Sequence, residues 1–425
     1  MAVETTSLDA ATLEPELPQP GNAATLFIFI TVAIDMIAFG IMAPVFPKLV
    51  IDFVAGDNAR AAWVFGVFAT SFSLMQFVFS PILGVLSDRV GRKPVIVLST
   101  LGLGLDYVVM ALAPNLAWLF AGRIVSGITS SNQTTAGAYI ADVVPPEKRA
   151  AAFGMIGAAF GLGFILGPAI GGVLGGISPR LPFWFAAAIS IANALYGALI
   201  LPESLPKAKR RDFAWSRANP VAALRLLRSH HELFGLSTVM FLSGLAGVVM
   251  PAIWVLYVDY RYGWDERTIG FSLAAVGICS TIIQAALVKP IVARLGERRS
   301  VVLGLTCAAV GLSIFAFAPN SVAFFLGIPV MMFWGVAPGA AQSIMTRLVS
   351  DGEQGELQGA IGSIRGIANL IGPGIFTLTF SLFIGVLKPL NAPGAPWLLA
   401  AVLLLAAIAL TLKVAGRDSQ AAAAA

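Results

Sequence analysis

Charge is scarce in this chain of 425 residues. Only 12% of the residues are Asp, Glu, Lys or Arg, whereas a soluble globular protein contains about 25%. Hydrophobic residues make up 58% of the chain, and the mean hydropathy is +0.86. This composition excludes an ordinary soluble domain.

Motifs for nucleotide binding and catalysis are also missing from the sequence. There is no GxxxxGK[ST] phosphate-binding loop, so we expect no ATP-driven activity. No nucleophile–base pair and no metal-ligand spacing lies beside the apolar segments, and we predict neither an enzyme nor a resident cofactor. Cys279 and Cys307 both lie within apolar runs, where we expect free thiols.

Long apolar runs recur along the whole chain. Each is long enough to cross a hydrocarbon layer of about 30 Å as a helix, and a helix satisfies its own backbone hydrogen bonds in lipid. We therefore predict an all-α membrane protein with twelve transmembrane helices. The predicted spans are 24–50, 61–86, 94–113, 117–142, 151–175, 182–201, 233–258, 267–291, 300–318, 321–346, 358–384 and 395–413.

Lysine and arginine are distributed unevenly among the loops between these spans. Most of these basic residues lie in loops that follow even-numbered spans. The loops that follow odd-numbered spans carry only Arg60, Arg180, Arg261, Arg267 and Lys388. Positively charged loops remain in the cytoplasm. We therefore predict two cytoplasmic tails, a disordered one at 1–23 and another at 414–425. Because the excess of basic over acidic residues reflects membrane topology, we expect no nucleic-acid partner.

Two landmarks recur at one offset and indicate an internal duplication. The segment "GRKPVIVL" begins at Gly91 and "GERRSVVL" begins at Gly296, 205 positions later. A Gly-Pro pair at Gly167 recurs 205 positions later at Gly372. We predict two pseudo-symmetric six-helix bundles at 24–201 and 233–413, joined by a central cytoplasmic loop at 202–232. Transporters built from such repeats bind substrate between the halves near the membrane midplane.

The loop "GVLSDRVGRKP" between the second and third spans concentrates charge in a chain that has little of it. Its contacts can form in one conformation and break in another, which predicts a conformational latch; a loop that only fixes topology is the alternative. The predicted latch residues are Gly84, Asp88, Arg89, Gly91 and Arg92. The loop resembles the signature loop of the major facilitator superfamily, in which an acid and two basic residues flank glycines.

Two further motifs resemble those of the same superfamily. In "GRIVSGITSS", Arg123 is the arginine and Gly127 the following glycine. "GFILGPAIGG" resembles the glycine-proline motif of its proton antiporters, and the matching residues are Gly163, Gly167, Pro168, Gly171 and Gly172. The resemblance implies twelve helices in two bundles that rock to alternate access, and a monomer.

A closer resemblance is to the bacterial tetracycline/proton antiporters. It rests on segments in both halves, such as "AIDMIAFGIMAPVFP", "GLDYVVMALAP", "WVLYVDYRYGW" and "QGELQG". The resemblance implies an exporter in the bacterial inner membrane that exchanges a drug for an inward proton. It also implies that the drug can carry Mg²⁺ as a chelate.

Asp35 and Asp106 lie about a dozen residues inside their predicted spans. A charge at the membrane centre costs about 2.5–3.5 kcal/mol on insertion scales, and loss of hydration disfavours the ionised carboxyl. We predict that both acids couple transport to protons, and the resemblance adds Arg123 as their partner in proton transfer. A permanent ion pair with a buried arginine is the alternative.

Two positions depart from the tetracycline exporters. Ala308 stands where those proteins carry an acid in the ninth helix, and Arg365 stands where they have a neutral residue. Arginine remains ionised and needs an anionic partner or water. We expect that partner to be Asp35 or Asp106 in one conformational state and an anionic group of the substrate in another; snorkelling of Arg365 to the membrane surface is the alternative.

Neutral polar and aromatic residues inside the spans are further candidates for substrate contact. Together with Arg365, the candidates are Gln284, Gln342, Trp254 and Gln133. Such residues also serve to pack helices together, and this alternative stays open.

The sequence as a whole predicts a proton-coupled antiporter that exports a tetracycline-type molecule. Its expected partners are a small-molecule substrate, protons and the lipid bilayer. One alternative is a proton-coupled transporter of an endogenous organic anion, such as a carboxylate or phosphate ester. The other is a receptor or lipid-handling protein on the same scaffold.

Overall fold

The first half of the chain is helical throughout its membrane segments. The computed structural model describes residues 22–130, 132–213, 215, 224, 226–227 and 231–424. Its first eight helices are α1 (Asn22–Met42), α2 (Phe46–Phe53), α3 (Asn58–Val90), α4 (Arg92–Leu112), α5 (Leu116–Thr129), α6 (Asn132–Val143), α7 (Pro146–Gly175) and α8 (Leu181–Ile200).

The second half continues the same pattern. Its helices are α9 (His231–Gly247), α10 (Val249–Tyr262), α11 (Glu266–Ile282), α12 (Val288–Leu295), α13 (Glu297–Phe317), α14 (Ser321–Met332), α15 (Val336–Arg347), α16 (Gln354–Ile384) and α17 (Ala395–Ala424). A π-helical turn at Ile283–Leu287 joins α11 to α12, and a 3₁₀ turn at Phe333–Gly335 joins α14 to α15.

Eleven helical segments of the described residues are long and apolar enough to cross a membrane. The predicted fourth span, 117–142, corresponds to α5 and α6, which flank residue 131. The all-α membrane fold is therefore confirmed. The predicted tail at 1–23 lies almost wholly outside the described residues. The predicted tail from 414 onward continues α17 to Ala424, because its alanines favour a helix more than any other residue.

Helix ends at matching positions of the two halves have similar backbone geometry. Gly91 and Gly296 both end a helix with positive φ, at 110° and 75°, a conformation that favours glycine. Asn115 and Asn320, again 205 positions apart, both cap the next helix: each side-chain oxygen accepts a hydrogen bond from a backbone amide of the first turn. Such caps satisfy amides that have no partner within the helix.

The two halves meet mainly along two helix pairs, α3 with α16 and α7 with α11. Inside the second half, Trp254 packs edge-on against Phe315, Phe324 and Trp397, with ring centroids 5.0–6.1 Å apart. This aromatic cluster fixes α10, α13, α14 and α17 relative to one another.

Candidate functional site

A buried ion pair joins α4 to α5 in the first half. Arg123 Nη2 lies 3.2 Å from Asp106 Oδ2, and the two residues are 6% and 1% exposed. Ser126, one turn after Arg123, accepts a hydrogen bond from Arg123 Nη2 at 3.0 Å and donates one to Asp106 Oδ2. The structure thus brings together two of the three predicted proton-coupling residues.

The Arg123 guanidinium of this pair lies beside two aromatic rings. The Arg123 guanidinium lies 4.8 Å from the centroid of the Phe46 ring and 5.5 Å from that of Phe72, an arrangement in which ring faces attract the cation. No described group donates a hydrogen bond to Asp106 Oδ1. A methyl group at Gly122 would lie 2.5 Å from that oxygen, so the glycine makes room for the carboxyl.

Asp35, on α1, is buried in a separate polar cluster of the same half. It is 5% exposed. Asn193 Nδ2 of α8 donates to Asp35 Oδ1 at 2.9 Å, and Thr100 Oγ1 of α4 donates to Asp35 Oδ2 at 3.3 Å. Asp35 and Asp106 thus both contact side chains that stabilise a carboxylate, and α4 takes part in both clusters.

Asn193 is a site residue that the sequence analysis missed. Its side chain is 1% exposed and also donates to the Thr31 carbonyl at 2.9 Å. A buried asparagine in a membrane helix needs polar partners. Its presence in the apolar sixth span was the signal that could have marked it as a partner of a buried acid.

A cavity of about 410 Å³ lies within the second half. Arg365 and Asn369 of α16, Ser243 of α9 and Trp334 line it, together with apolar side chains such as Met240. Trp334 Nε1 donates to Ser243 Oγ at 2.9 Å, which fixes the indole. Neither Ser243 nor Trp334 was predicted, because they are 91 positions apart and only packing makes them neighbours.

The other predicted substrate residues lie elsewhere. Trp254 belongs to the aromatic core, is 1% exposed and donates to Ser272 Oγ at 3.0 Å. Its size and its satisfied N–H explain this position, so it does not line the cavity. Gln284 donates to Ser280, Gln342 donates to Gln358, and neither lines this cavity. The side chain of Gln133 lies outside the described residues.

The charged loop that begins α4 is tied to its own half. Arg92 is 8% exposed; its Nη1 lies 2.6 Å from Asp88 Oδ1 and its Nε lies 3.0 Å from Asp142 Oδ2. Its backbone amide donates to Glu203 Oε1 at 2.8 Å. We call this part of the molecule the Asp88 end.

The remaining predicted latch residues make weaker contacts. Gly91 provides the positive φ of the turn, a methyl group at Gly84 would lie 3.8 Å from Thr134 Cγ2, and Arg89 is exposed. On the other half, Glu297 pairs with Arg347. At the Asp88 end, the ion pairs among the described residues therefore join groups within one half.

The opposite end carries an ion cluster between the halves, which sequence analysis did not predict. Lys48 Nζ of α2 donates to the Trp264 carbonyl at 2.7 Å and lies 3.2 Å from Asp259 Oδ1 and 3.5 Å from Glu266 Oε1. We call this part the Lys48 end. Next to it, hydrogen bonds from Thr268 lower the pKa of the Asp265 carboxyl.

The glycine-proline motif allows α7 to approach two helices closely. A methyl group at Gly167 would lie 2.6 Å from Gly40 Cα of α1, and one at Gly172 would lie 2.9 Å from Gly270 Cα of α11. Gly163 and Gly171 face α1 in the same way, and the Pro168 carbonyl faces Gly270. Close backbone approach requires glycine, so this motif joins the halves toward the Lys48 end.

A family model for the Major Facilitator Superfamily matches residues 28–373 and 236–423. The chain belongs to the major facilitator superfamily. It is 38% identical to the class C tetracycline resistance protein of Escherichia coli over 85% of this chain and 90% of that protein. It is 35% identical to the class G protein of Vibrio anguillarum over 90% of this chain and 96% of that protein. The predicted family resemblance is therefore confirmed.

Solved structures of the superfamily share this fold. The nucleoside transporter NupG superposes with a TM-score of 0.74 at 14% identity, covering 92% of this chain and 98% of that chain. The human organic anion transporter MFSD10 superposes with a TM-score of 0.68 at 24% identity, covering 93% and 100%. This major facilitator protein is thus a multi-pass membrane protein with a transporter fold.

Proposed function

We propose that the protein is a proton-coupled antiporter that exports a tetracycline-type molecule. The buried pair of Asp106 and Arg123 is the observation that supports coupling. Asp106 Oδ2 is occupied by Arg123 and Ser126, whereas Oδ1 has no donor among the described residues. A proton can therefore bind Oδ1 without displacing a protein hydrogen bond.

Protonation of Asp106 changes the balance between conformations. A neutral carboxyl no longer offsets the charge of Arg123, so the arrangement of α4 and α5 becomes less favourable once a proton is bound. A ligand or proton shifts a conformational equilibrium only when it favours one of the states. Proton binding in the first half thus provides the required difference between inward-facing and outward-facing states.

The contacts between the halves support a state open at the Asp88 end. Lys48 bridges the halves at the opposite end, and Ser381 Oγ of α16 donates to the Ala59 carbonyl of α3 there at 2.7 Å. With the positively charged loops in the cytoplasm, the Asp88 end is cytoplasmic. This state loads a cytoplasmic substrate, as an exporter requires.

The proposal also covers the oligomeric state, the location and the chemistry of the protein. The protein acts as a monomer in the bacterial inner membrane, with both termini in the cytoplasm. It transports a solute and catalyses no covalent reaction, and it holds no resident cofactor. The similarity to tetracycline resistance proteins over most of the chain supports the choice of substrate.

The test uses purified full-length protein in liposomes with a trapped pH dye and an imposed proton gradient. Tetracycline is added once with magnesium and once with a chelator. Proton movement evoked by tetracycline in either condition, lost in Asp35→Asn and kept in the exposed control Asp212→Asn, is the expected result. No proton movement in either condition overturns the proposal.

A second function is favoured by one observation, the position of Arg365 in the cavity. A cation at this position suits an endogenous organic anion as the transported molecule. In the same liposomes, proton movement evoked by small carboxylates or phosphate esters but not by tetracycline would establish this alternative.

A further inference from the structure

The carboxyl of Asp35 is held by two side chains of different hydrogen-bonding chemistry. Asn193 Nδ2 of α8 donates to Asp35 Oδ1 at 2.9 Å, and Thr100 Oγ1 of α4 donates to Asp35 Oδ2 at 3.3 Å. All three residues are at most 5% exposed. An amide nitrogen only donates hydrogen bonds, whereas a hydroxyl can donate or accept. The two oxygens of Asp35 therefore respond differently to a proton.

The orientation of the Asn193 amide is set by two acceptors. Its Nδ2 donates to the Thr31 carbonyl at 2.9 Å as well as to Asp35. Rotation of the amide would place Asn193 Oδ1 against the Thr31 carbonyl oxygen, where two acceptors repel each other. The carbonyl oxygen of a neutral carboxyl group is also an acceptor. The amide therefore donates to Asp35 Oδ1 whether or not the carboxyl carries a proton.

Thr100 can change its role, which Asn193 cannot. A proton on Asp35 Oδ2 turns that oxygen into a donor, and rotation about the Cβ–Oγ1 bond of Thr100 lets the hydroxyl oxygen accept from it. The distance from Thr100 to Oδ2 is also longer than the distance from Asn193 to Oδ1, so Oδ2 is the less firmly held oxygen. A proton can bind Oδ2 without loss of the hydrogen bond from Asn193.

The helices around Asp35 carry few charged groups. α8 has none, those of α7 lie in its first four residues, and the basic residues of α4 are its first two. The remaining titratable residues of α4, α6 and α8 are Asp106, Tyr107, Tyr139, Asp142 and Tyr196. Asp106 and Asp142 are paired with arginines, and the charge of Asp35 acts on Tyr107. The hydrogen bonds from α4 and α8 to Asp35 thus come from neutral side chains.

We propose that Asp35 binds its proton on Oδ2, that Thr100 accepts a hydrogen bond from this proton, and that Asn193 holds Oδ1 in both protonation states. This inference rests on the proposed function and adds two positioning residues to it. Protonation then changes the contact of α1 with α4 and preserves the contact of α1 with α8. Because α4 also carries Asp106, both proton-binding events act on the same helix.

The experiment is infrared difference spectroscopy of the purified full-length protein in lipid, recorded between alkaline and acidic pH. The C=O stretch of the protonated Asp35 carboxyl is the band that is missing in Asp35→Asn. A hydrogen bond donated to a carbonyl oxygen weakens the C=O bond and lowers the frequency of this band. The variants are Asn193→Leu, Thr100→Val and Thr100→Ser. The matched control is Thr411→Val, a buried threonine of the second half whose hydroxyl donates to the Ala407 carbonyl.

We expect Asn193→Leu to shift the Asp35 band to higher frequency, because Oδ1 is the carbonyl oxygen and loses its donor. Thr100→Val should move the band much less, and Thr411→Val should not move it. In liposomes, Thr100→Val should slow proton-driven transport about 10-fold, because the neutral carboxyl loses a buried acceptor. Thr100→Ser and Thr411→Val should keep the transport rate. A purely structural role of these residues would not produce this pattern of frequency shifts.

A frequency rise in Thr100→Val that equals or exceeds the rise in Asn193→Leu overturns the inference, because it puts the proton on Oδ1. Absence of a protonated carboxyl band from Asp35 also overturns it; if tetracycline still evokes proton movement in liposomes, the proposed antiport stands. If tetracycline evokes no proton movement with the unmodified protein, the proposed function itself fails, whatever the spectra show. Valine nearly preserves the shape of threonine, so the Thr100→Val arm remains decisive where Asn193→Leu does not fold.

Discussion

The two halves of the molecule have equivalent helix caps and turns but differ in where they carry buried charge. Asn115 and Asn320 cap equivalent helices, 205 positions apart. At the same offset, Asp106 corresponds to Gly311 and Arg123 to Ile328. The first half thus buries an ion pair where the second half has a glycine and an apolar side chain.

The halves therefore share the residues that shape the backbone and differ in their buried titratable groups. Caps and glycines, which fix the corners, are present in both halves because both must fold in the same way. The buried titratable groups are not required for folding, so they need not be repeated in the second half. The buried acids Asp35 and Asp106 thus lie in the first half, and the cavity lined by Arg365 lies in the second.

Removal of the charge of Asp106 should have the largest effect. Asp106→Asn should reduce proton-driven transport in liposomes by about 100-fold or more, as expected when a proton-transferring group is lost. Binding of tetracycline should persist, because the cavity lies in the other half. Arg365→Gln should show the reverse, weaker binding with a proton response that saturating tetracycline restores. Loss of binding in Asp106→Asn would contradict the division.

Helix packing in the first half offers the next largest effect. Gly167→Ala puts a methyl group against the Gly40 backbone, and overpacking of this kind costs about 1–3 kcal/mol. Gly157→Ala on the same helix meets nothing within 4 Å and serves as the matched control. Thermal unfolding in detergent should show a lower midpoint for the first variant only. Equal midpoints would show that α1 and α7 do not need this close contact.

The cluster at the Lys48 end tests how the halves are joined. Lys48→Gln leaves Asp259 and Glu266 without their cation. A partly exposed ion pair is worth up to about 1 kcal/mol, so the population open at the Lys48 end should rise about fivefold. The readout is labelling of Ser381→Cys by an impermeant maleimide, with Cys279 and Cys307 replaced by serine.

Lys388→Gln removes another cation from the same end, where no ion pair of Lys388 is found among the described residues. It should leave the labelling rate unchanged. A rise in labelling equal to that of Lys48→Gln would mean that general charge, rather than the bridge, holds this end closed.

An effect of about the same size compares the two halves directly. Asn115→Ala and Asn320→Ala each remove the cap of an equivalent helix and should each cost about 1 kcal/mol of unfolding free energy. Chemical unfolding in detergent measures both. A large cost in one half and none in the other would show that the shared corners do not contribute equally.

The fold was largely predictable because its determinants are local. Span length follows from the thickness of the hydrocarbon layer, and the repeat follows from short segments at one offset. The family and the all-α membrane fold are both confirmed. The site was less predictable. Trp254 is as apolar and aromatic as Trp334, yet only Trp334 lines the cavity, and local composition does not distinguish them.

Local sequence was enough to predict the long apolar helices, the repeated segments and the burial of Asp35 and Asp106, because hydration and helix length act on each segment separately. Contact partners on different helices were not predictable in this way. Lys48 meets the Trp264 carbonyl across 216 positions, and Ser243 meets Trp334 across 91. Such contacts depend on how whole helices pack, and no local periodicity specifies which of many polar side chains will come within hydrogen-bonding distance.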